Sequence, residues 1–326
     1  MLKRTVNRLK TFVTLLWRAD APLTAAGVLM LAALAGSLAG LWLDPRTITG
    51  APAWLKPAKF AVSTAIYTLT LAWVFSYLPA WPRTRRIGGW TTAATLVLEV
   101  AIIDAQAWRG ATSHFNVGAP LDLSLWTVMG LAIVLQTLAS IAIAVALWRQ
   151  PFVDRALGWA LRLGLSITIL GASSAGLMTR PTAAQMAHAR ATHQMTVVGA
   201  HTVGAPDGGP GLPATGWSRE HGDLRVPHFL GLHALQALPL FALAFLRRGW
   251  SETMRTRVMF TAAGNYALLF AILLSQALRG QALTNPDTTT MTAFAMWGVL
   301  TVAAAWIAAA GSQSIRAHVV AHRGVA

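Results

Sequence analysis

The sequence predicts an all-α, polytopic membrane protein with eight transmembrane helices, built as two parallel four-helix repeats. Composition, the number of apolar stretches and an internal duplication carry that prediction. Of 326 residues, 55% are hydrophobic and only 11% charged, with 14 Trp. A soluble domain carries about 25% charged residues. The net charge of +15 is no nucleic-acid footprint, because the basic residues sit in short clusters between long apolar runs. The partner this implies is a lipid bilayer, with no nucleic acid. The absence of cysteine excludes disulfides, thiolate metal sites, iron–sulfur clusters and covalent c-type haem.

Eight apolar stretches approach the length of about 20 residues that a bilayer requires. They fall near 22–43, 57–78, 87–107, 123–148, 156–178, 226–246, 256–278 and 289–311. The first follows a basic segment as a signal peptide would, but it is too long for such a segment, and its counterpart at 156–178 is internal. Ahead of it, Val6, Leu9, Val13 and Leu16 share a helical face against Lys3, Arg4 and Lys10, which reads as an interfacial amphipathic helix over 1–18. Alternate loops differ in charge: with the N-terminus inside, the inner segments hold 17 of the 26 Lys and Arg. By the positive-inside rule both termini are cytoplasmic.

The duplication is visible without gaps. Residues 85–110 match 255–280 at Arg85, Thr91, Ala93, Leu98, Ala101, Ile102, Gln106, Ala107, Arg109 and Gly110, ending in a shared QAxRG. LKPAKF at 55–60 lies over LRVPHF at 224–229, and Ser37, Ala39, Gly40, Leu41 and Pro45 lie over Ser173, Ala175, Gly176, Leu177 and Pro181. Four helices per copy is an even number, so both copies enter the membrane in the same sense. The expected organisation is an interfacial helix at 1–18, a first repeat at 19–150, a second at 151–312 with an external insert at 179–225, and a cytoplasmic tail at 313–326.

Where the copies differ, function is sought. The insert begins with a short helix after Pro181 and continues as a Gly/Pro run. It holds His188, His193, His201 and His221, at spacings that form no recognisable metal motif. Near the start of the sixth span stand His228 and His233, where the first copy has Lys59 and Thr64. Pro239 is expected to kink that helix and free the carbonyl of Leu235. The third span carries Glu99 and Asp104, opposite Leu269 and Leu274, and beyond it comes His114, opposite Thr284. Carboxylates and imidazoles inside a membrane are costly enough to be functional candidates. Asp104, Glu99 and His114 are therefore the candidate catalytic groups and His228 and His233 the candidate cofactor ligands. His114, His228, His233 and Asp104 form the candidate metal set. Lys56, Arg109, Arg225 and Arg279 recur in both copies at the external ends of the helices and would ring a lipid or small anionic ligand, or else pair with Asp122, Asp223 and Asp287.

WLKPAKF, TSHFN, LMTRPTAAQ and GDLRVPHFLGLHALQ together resemble a widespread group of uncharacterised bacterial multi-pass membrane proteins. The resemblance spans nearly the whole chain and implies a bacterial inner membrane, with no activity attached. The leading reading is a membrane-embedded metal- or haem-dependent enzyme or redox protein with its site at the external face, using Zn, Fe or haem b. The alternative is a proton-coupled carrier of a small anionic or amphipathic solute, with Glu99 as the coupling group.

Overall fold

The computed structural model describes residues 2–246 and 249–323, with side chains at residue 7, 10–244 and 249–307. Lys3, Arg4, Val6 and Leu9 of the expected amphipathic face, and Arg247, Arg248, Arg316 and Arg323 of the charge asymmetry, have side chains outside the described residues. The chain is helical: α1 Leu2–Ala19, α2 Ala21–Leu43, α3 Leu55–Phe75, α4 Pro82–Arg109, α5 Pro120–Arg149, α6 Arg155–Met178, α7 Ala183–Thr192, α8 Arg225–Leu232, α9 Ala234–Leu246, α10 Glu252–Leu278 and α11 Thr288–Arg323. Two short hairpins join them, β1 Thr47–Ile48 with β2 Ala51–Pro52, and β3 Thr202–Val203 with β4 Gly222–Asp223.

Seven of these helices are long and apolar enough to cross a membrane, and there are eight such segments if α8 and α9, bent by 45° at their junction, count as one span. The sequence marks the ends. Asp20, Asp154 and Ser251 accept the backbone N–H three residues on, and Pro22, Pro82 and Pro120 begin helices where no N–H is needed. Gly110 closes α4 in the left-handed region at φ 72°, and Gly280 follows α10 at φ 75°. Residues 313–323 of the expected tail are helical and belong to α11, which runs to Arg323.

The α2 helix packs on α3 and α4, and α4 on α5; α6 packs on α8, α9 and α10, and α10 on α11. Contacts of α5 with α6 and of α3 with α9 join these two groups. The main core lies where they meet, with Leu71 and Phe75 of α3, Ile143 and Leu147 of α5, Leu161 and Leu165 of α6, and Leu235 and Leu238 of α9 all buried. Lipid is as apolar as these side chains, so close packing rather than exclusion from water holds the helices together.

The sixth span breaks at His233 and not at Pro239, which continues within α9. The cause lies in the neighbouring helix. Gly164, Thr168 and Gly171 form one stripe of α6, and Gly171 meets Gly231 so closely that a Cβ on either would overlap the other's backbone. A break inside a membrane requires new partners for the backbone groups it frees. Thr168 supplies two: its hydroxyl donates to Leu232 O at 3.3 Å and accepts Leu235 N–H at 3.1 Å. The hydroxyl of Tyr266 donates to Leu230 O at 2.6 Å, and His233 Nδ1 bonds Phe229 O at 2.8 Å.

The insert is an ordered cap over one end of the bundle. Its helix α7 opens on a capping box, Thr182 with Gln185. It then runs alongside the α4–α5 loop: Val117 N–H donates to Thr196 O, and Val198 N–H to Phe115 O, each at 2.9 Å. Farther on, Lys59 Nζ at the start of α3 donates to Thr215 O at 2.8 Å, and Gly208 lies against Gly50 of the β1–β2 turn. The cap also holds to its own half, where Ala200 N–H donates to Met178 O and β4 packs against α10.

Candidate functional site

Beneath the cap three histidines from three different segments lie near enough to influence one another's charge. His114 lies in the loop after α4, His201 in the insert beside β3, and His228 in α8. His201 and His228 act electrostatically on His114, His201 also acts on His228, and Lys56 acts on His114 and His201. The third span brings Glu99 up from below: its Oε1 lies 3.8 Å from His114 Nε2.

Local geometry fixes each ring. His201 Nδ1 bonds Asp207 Oδ2 at 2.7 Å, and the same carboxylate accepts the backbone N–H groups of His201 and Thr202. His228 Nδ1 donates to Gly171 O at 2.7 Å, on the α6 stripe beside the helix break. His114 Nδ1 stands 3.2 Å from Ser113 Oγ. A carbonyl or carboxylate acceptor on Nδ1 places the ring proton there and leaves the Nε2 lone pair free. His233 has the same arrangement, with its ring against Phe229 at 4.1 Å.

Aromatic side chains wall the site. The His114 ring lies 5.7 Å from Phe60 and 5.5 Å from Trp126, and Phe115 packs edge-on against His201 at 4.8 Å. Phe115 holds φ 65°, a left-handed backbone that costs a β-substituted residue about 1–3 kcal/mol and that its packing and its bond to Val198 maintain. Burial, followed by the charges on Lys56, His201 and His228, holds the pKa of His114 well below the ordinary imidazole value. Burial also lowers His201, against the opposing pull of Asp207. Burial pushes the Asp207 carboxyl up, but its bonds from His201 and Thr202 outweigh that and hold it below the usual carboxylate range. At neutral pH both imidazoles are uncharged.

Two ionisable groups of the site form no hydrogen bond among the described residues. Glu99 is 7% exposed and forms no hydrogen bond among the described residues. Lys56 is half-buried and forms no hydrogen bond or ion pair among them; the nearest ring, Phe60, is 5.7 Å from its ammonium.

The other sequence candidates lie elsewhere. Asp104 sits five residues beyond Glu99, about 140° around the helix, and its buried Oδ1 has no hydrogen-bond partner. His233 lies beneath His228 at the helix break. The four cations do not form a ring of free charge. Arg109 pairs with Asp122 at 2.8 Å, Arg225 with Asp223 at 2.6 Å and Arg279 with Asp287 at 3.0 Å, which leaves Lys56. Each of those arginines has a carboxylate within reach along its own chain, so local pairing satisfies it. Sequence reasoning missed Asp207 and set His201 aside with the other insert histidines. The signal was Asp207, six residues after His201 in a tight Gly/Pro segment.

Among the described residues, no three His, Asp or Glu side chains already stand around one point as a metal would require. The Glu99–His114 spacing is nevertheless within reach of one ion, since two ligands at about 2.0–2.2 Å from a metal lie up to about 4.4 Å apart. No known protein family matches the chain, and neither a curated protein nor a solved structure is similar to it.

Proposed function

We propose that the chain is a membrane-embedded metal-dependent enzyme or redox protein whose centre, at the external face, is formed by His114, His201, His228 and Glu99 under the insert. One observation carries the reading: His201 and His228 each have Nδ1 bonded to a carboxylate or carbonyl with Nε2 free, the arrangement of metal-ligating histidines, and both act electrostatically on His114, whose Nε2 lies 3.8 Å from Glu99. Asp207 would hold the His201 ring and Gly171 O the His228 ring, while Lys56 supplies a positive charge for an anionic substrate. Imidazoles with a carboxylate suit Zn²⁺ or non-haem iron, which would polarise a bound oxygen. Haem b would need two imidazoles opposed across a macrocycle. Metal analysis and an absorption spectrum of the detergent-purified protein test the reading. Stoichiometric zinc or iron, lost in His228→Ala and in His201→Ala, is the expected result; a Soret band would replace it by haem, and neither would remove it.

The second reading is a proton-coupled carrier of a small anionic solute. Glu99 and Lys56, which form no hydrogen bond among the described residues, favour it, and so does a polar network where Gln136 joins Thr95, Tyr67 and Ser140. Bonds from the insert to both helix groups oppose the rocking that such carriers use.

The architecture we infer is two four-helix copies in parallel, in a bacterial inner membrane with both termini cytoplasmic. Support comes from matched ends of α4 and α10. Gln106 Nε2 donates to Thr112 O at 3.3 Å and Gln276 Nε2 to Ala282 O at 2.9 Å, the carbonyl of the sixth residue on in each case. The arginine three residues after each glutamine pairs with an aspartate at the start of the next helix. Residues 20–148 and 154–311 should superpose by about a half-turn around the membrane normal. An inverted superposition would overturn the repeat.

A further inference from the structure

We infer that the groove between α10 and α11, on the insert side of the membrane, holds one phospholipid with a zwitterionic headgroup. Its phosphate lies on Arg279, its primary ammonium on Asp287 and an acyl chain between the two helices. The site shares no residue with the proposed centre and does not depend on it.

Two clamps hold α11 to α10. Midway along α10, Trp297 Nε1 donates to Asn265 O at 3.1 Å and the Thr301 hydroxyl donates to Asn265 Oδ1. At the insert end Arg279 Nη1 pairs with Asp287 at 3.0 Å, and Arg279 Nη2 donates to Thr290, whose hydroxyl donates to Gln281 Oε1 at 2.7 Å. From Asn265 to Arg279 is about 21 Å of helix. Between the clamps several facing residues are small. A groove of about 230 Å³ lies there, with Ala271 and Ser275 of α10 and Thr289 and Ala293 of α11 along it and Arg279 at its head. A more open one of about 380 Å³ continues it past Thr292 to Met296.

The chemistry of the groove selects the occupant. Its lower end is apolar, and exposed apolar side chains continue down α11 at Met296, Val299 and Val302, a surface that suits an acyl chain. Its head is rich in donors. The hydroxyls of Ser275 and Thr289 form no hydrogen bond among the described residues, whereas those of Ser173 and Thr292 turn back to the carbonyl four residues earlier. The first N–H groups of α11 have no acceptor within the helix. A guanidinium and hydroxyls beside a helix N-terminus suit a phosphate. The ion pair stays accessible, with the Arg279 side chain 35% and the Asp287 side chain 43% exposed. Asp287 therefore meets whatever adjoins the phosphate. A headgroup with a second negative group or none would leave the carboxylate unanswered; an ammonium on a short ethyl link answers it.

The first helix group differs at these positions. The pairs that correspond, 170 residues earlier on α4 and 165 earlier on α5, are Thr95 with Gln136 and Arg109 with Asp122. Between them Ala105 stands in place of Ser275 and the larger Val128 in place of Ala293. Ser124, in place of Thr289, donates to Pro120 O at 2.8 Å, and the Asp122 side chain is only 10% exposed. The open pair and the free hydroxyls thus belong to α10 and α11.

The test uses the full chain, delipidated in detergent and titrated with dioleoyl phosphatidylethanolamine, phosphatidylcholine or phosphatidylglycerol, with bound lipid counted by native mass spectrometry. One phosphatidylethanolamine should bind several-fold more tightly than either of the others. Phosphatidylcholine carries both charges but no N–H for Asp287, and phosphatidylglycerol carries no cation. Asp287→Asn, which can still cap α11, should erase the preference for phosphatidylethanolamine over phosphatidylglycerol. Arg279→Gln should weaken all three. Ala293→Leu, which leaves both clamps in place and fills the groove, should remove the tight phosphatidylethanolamine. Equal binding of the three lipids, tighter binding of phosphatidylglycerol, or parental binding in Ala293→Leu would overturn the site. So would displacement of the lipid by inorganic phosphate, or a dimer mass that Ala293→Leu abolishes, which would give the groove to a second copy of the chain. A preparation without bound metal would remove the proposed centre and leave the lipid site standing.

Discussion

His201 and Asp207 form a closed unit: the carboxylate accepts the ring Nδ1 at 2.7 Å and the backbone N–H of the same histidine at 3.0 Å. The insert is thereby folded around the ring it presents. Replacing Asp207 by Ala would leave the ring N–H and two backbone N–H groups without their acceptor. The expected cost is about 1–3 kcal/mol, with any bound metal held 10- to 100-fold more weakly. Thermal unfolding in detergent and a metal titration measure both, and unchanged values would show the pair to be incidental.

The same unit gives the protein an acid sensitivity of known sign. His201 and His114 have folded pKa values below the ordinary 6.5. As pH falls below that value the unfolded chain takes up protons that the fold excludes. Stability is therefore full above about pH 7 and declines as the pH falls through the unfolded imidazole value of about 6.5. Asp207 adds a further loss at lower pH, below the unfolded carboxylate value of 3.8. Unfolding midpoints across this range should slope more gently in His201→Gln; an equal slope would assign the sensitivity elsewhere.

Arg109 and Lys56 should respond to substitution in opposite senses. Arg109→Met leaves Asp122 and Gln106 without their cation and should cost about 1–2 kcal/mol. Lys56→Met and Glu99→Gln each remove an ionisable group that forms no hydrogen bond, and should leave the unfolding temperature unchanged or raise it by about 2–4 °C. A fall of that size in both variants would mean that Lys56 and Glu99 stabilise the fold.

Thr168→Val tests the broken span. Its hydroxyl serves Leu232 O and Leu235 N–H together, so its loss should cost about 1–3 kcal/mol. The damage should extend to His228, which the same crossing presents to Gly171 O. A variant as stable as the parent would mean that the break does not need Thr168.

Reporter fusions after residues 84, 152 and 250 should read cytoplasmic, and those after 50, 116, 205 and 285 external, as the charge asymmetry requires. Reversed readings at two adjacent loops would break the eight-span topology.

The spans were legible because length and apolarity act locally, and the helix ends because proline, aspartate and glycine act within one turn. The short helix after Pro181 was legible for the same reason. The break at His233 was not, since Pro239 is the conspicuous residue on that helix and the cause, the stripe of Gly164, Thr168 and Gly171, lies on another. Glu99 and His114 stood out as singular residues, and the structure brings them together. Asp104 stood out equally but faces another way, because a spacing of five separates two positions on a helix. His201 was hidden because its role depends on where the insert lands.

The cap belongs by sequence to the second group of helices, yet residues 196–198 and 215 bond to the first. This sets an order of assembly. When the ribosome has delivered α2 to α5, the loop with His114 still lacks the strand that will lie beside it, and Lys59 lacks its carbonyl. The first group must wait in the membrane, its mouth open, while α6 is inserted and some forty further residues emerge and fold back. A chain interrupted in that interval would present Glu99 and His114 uncovered to the solution beyond the membrane.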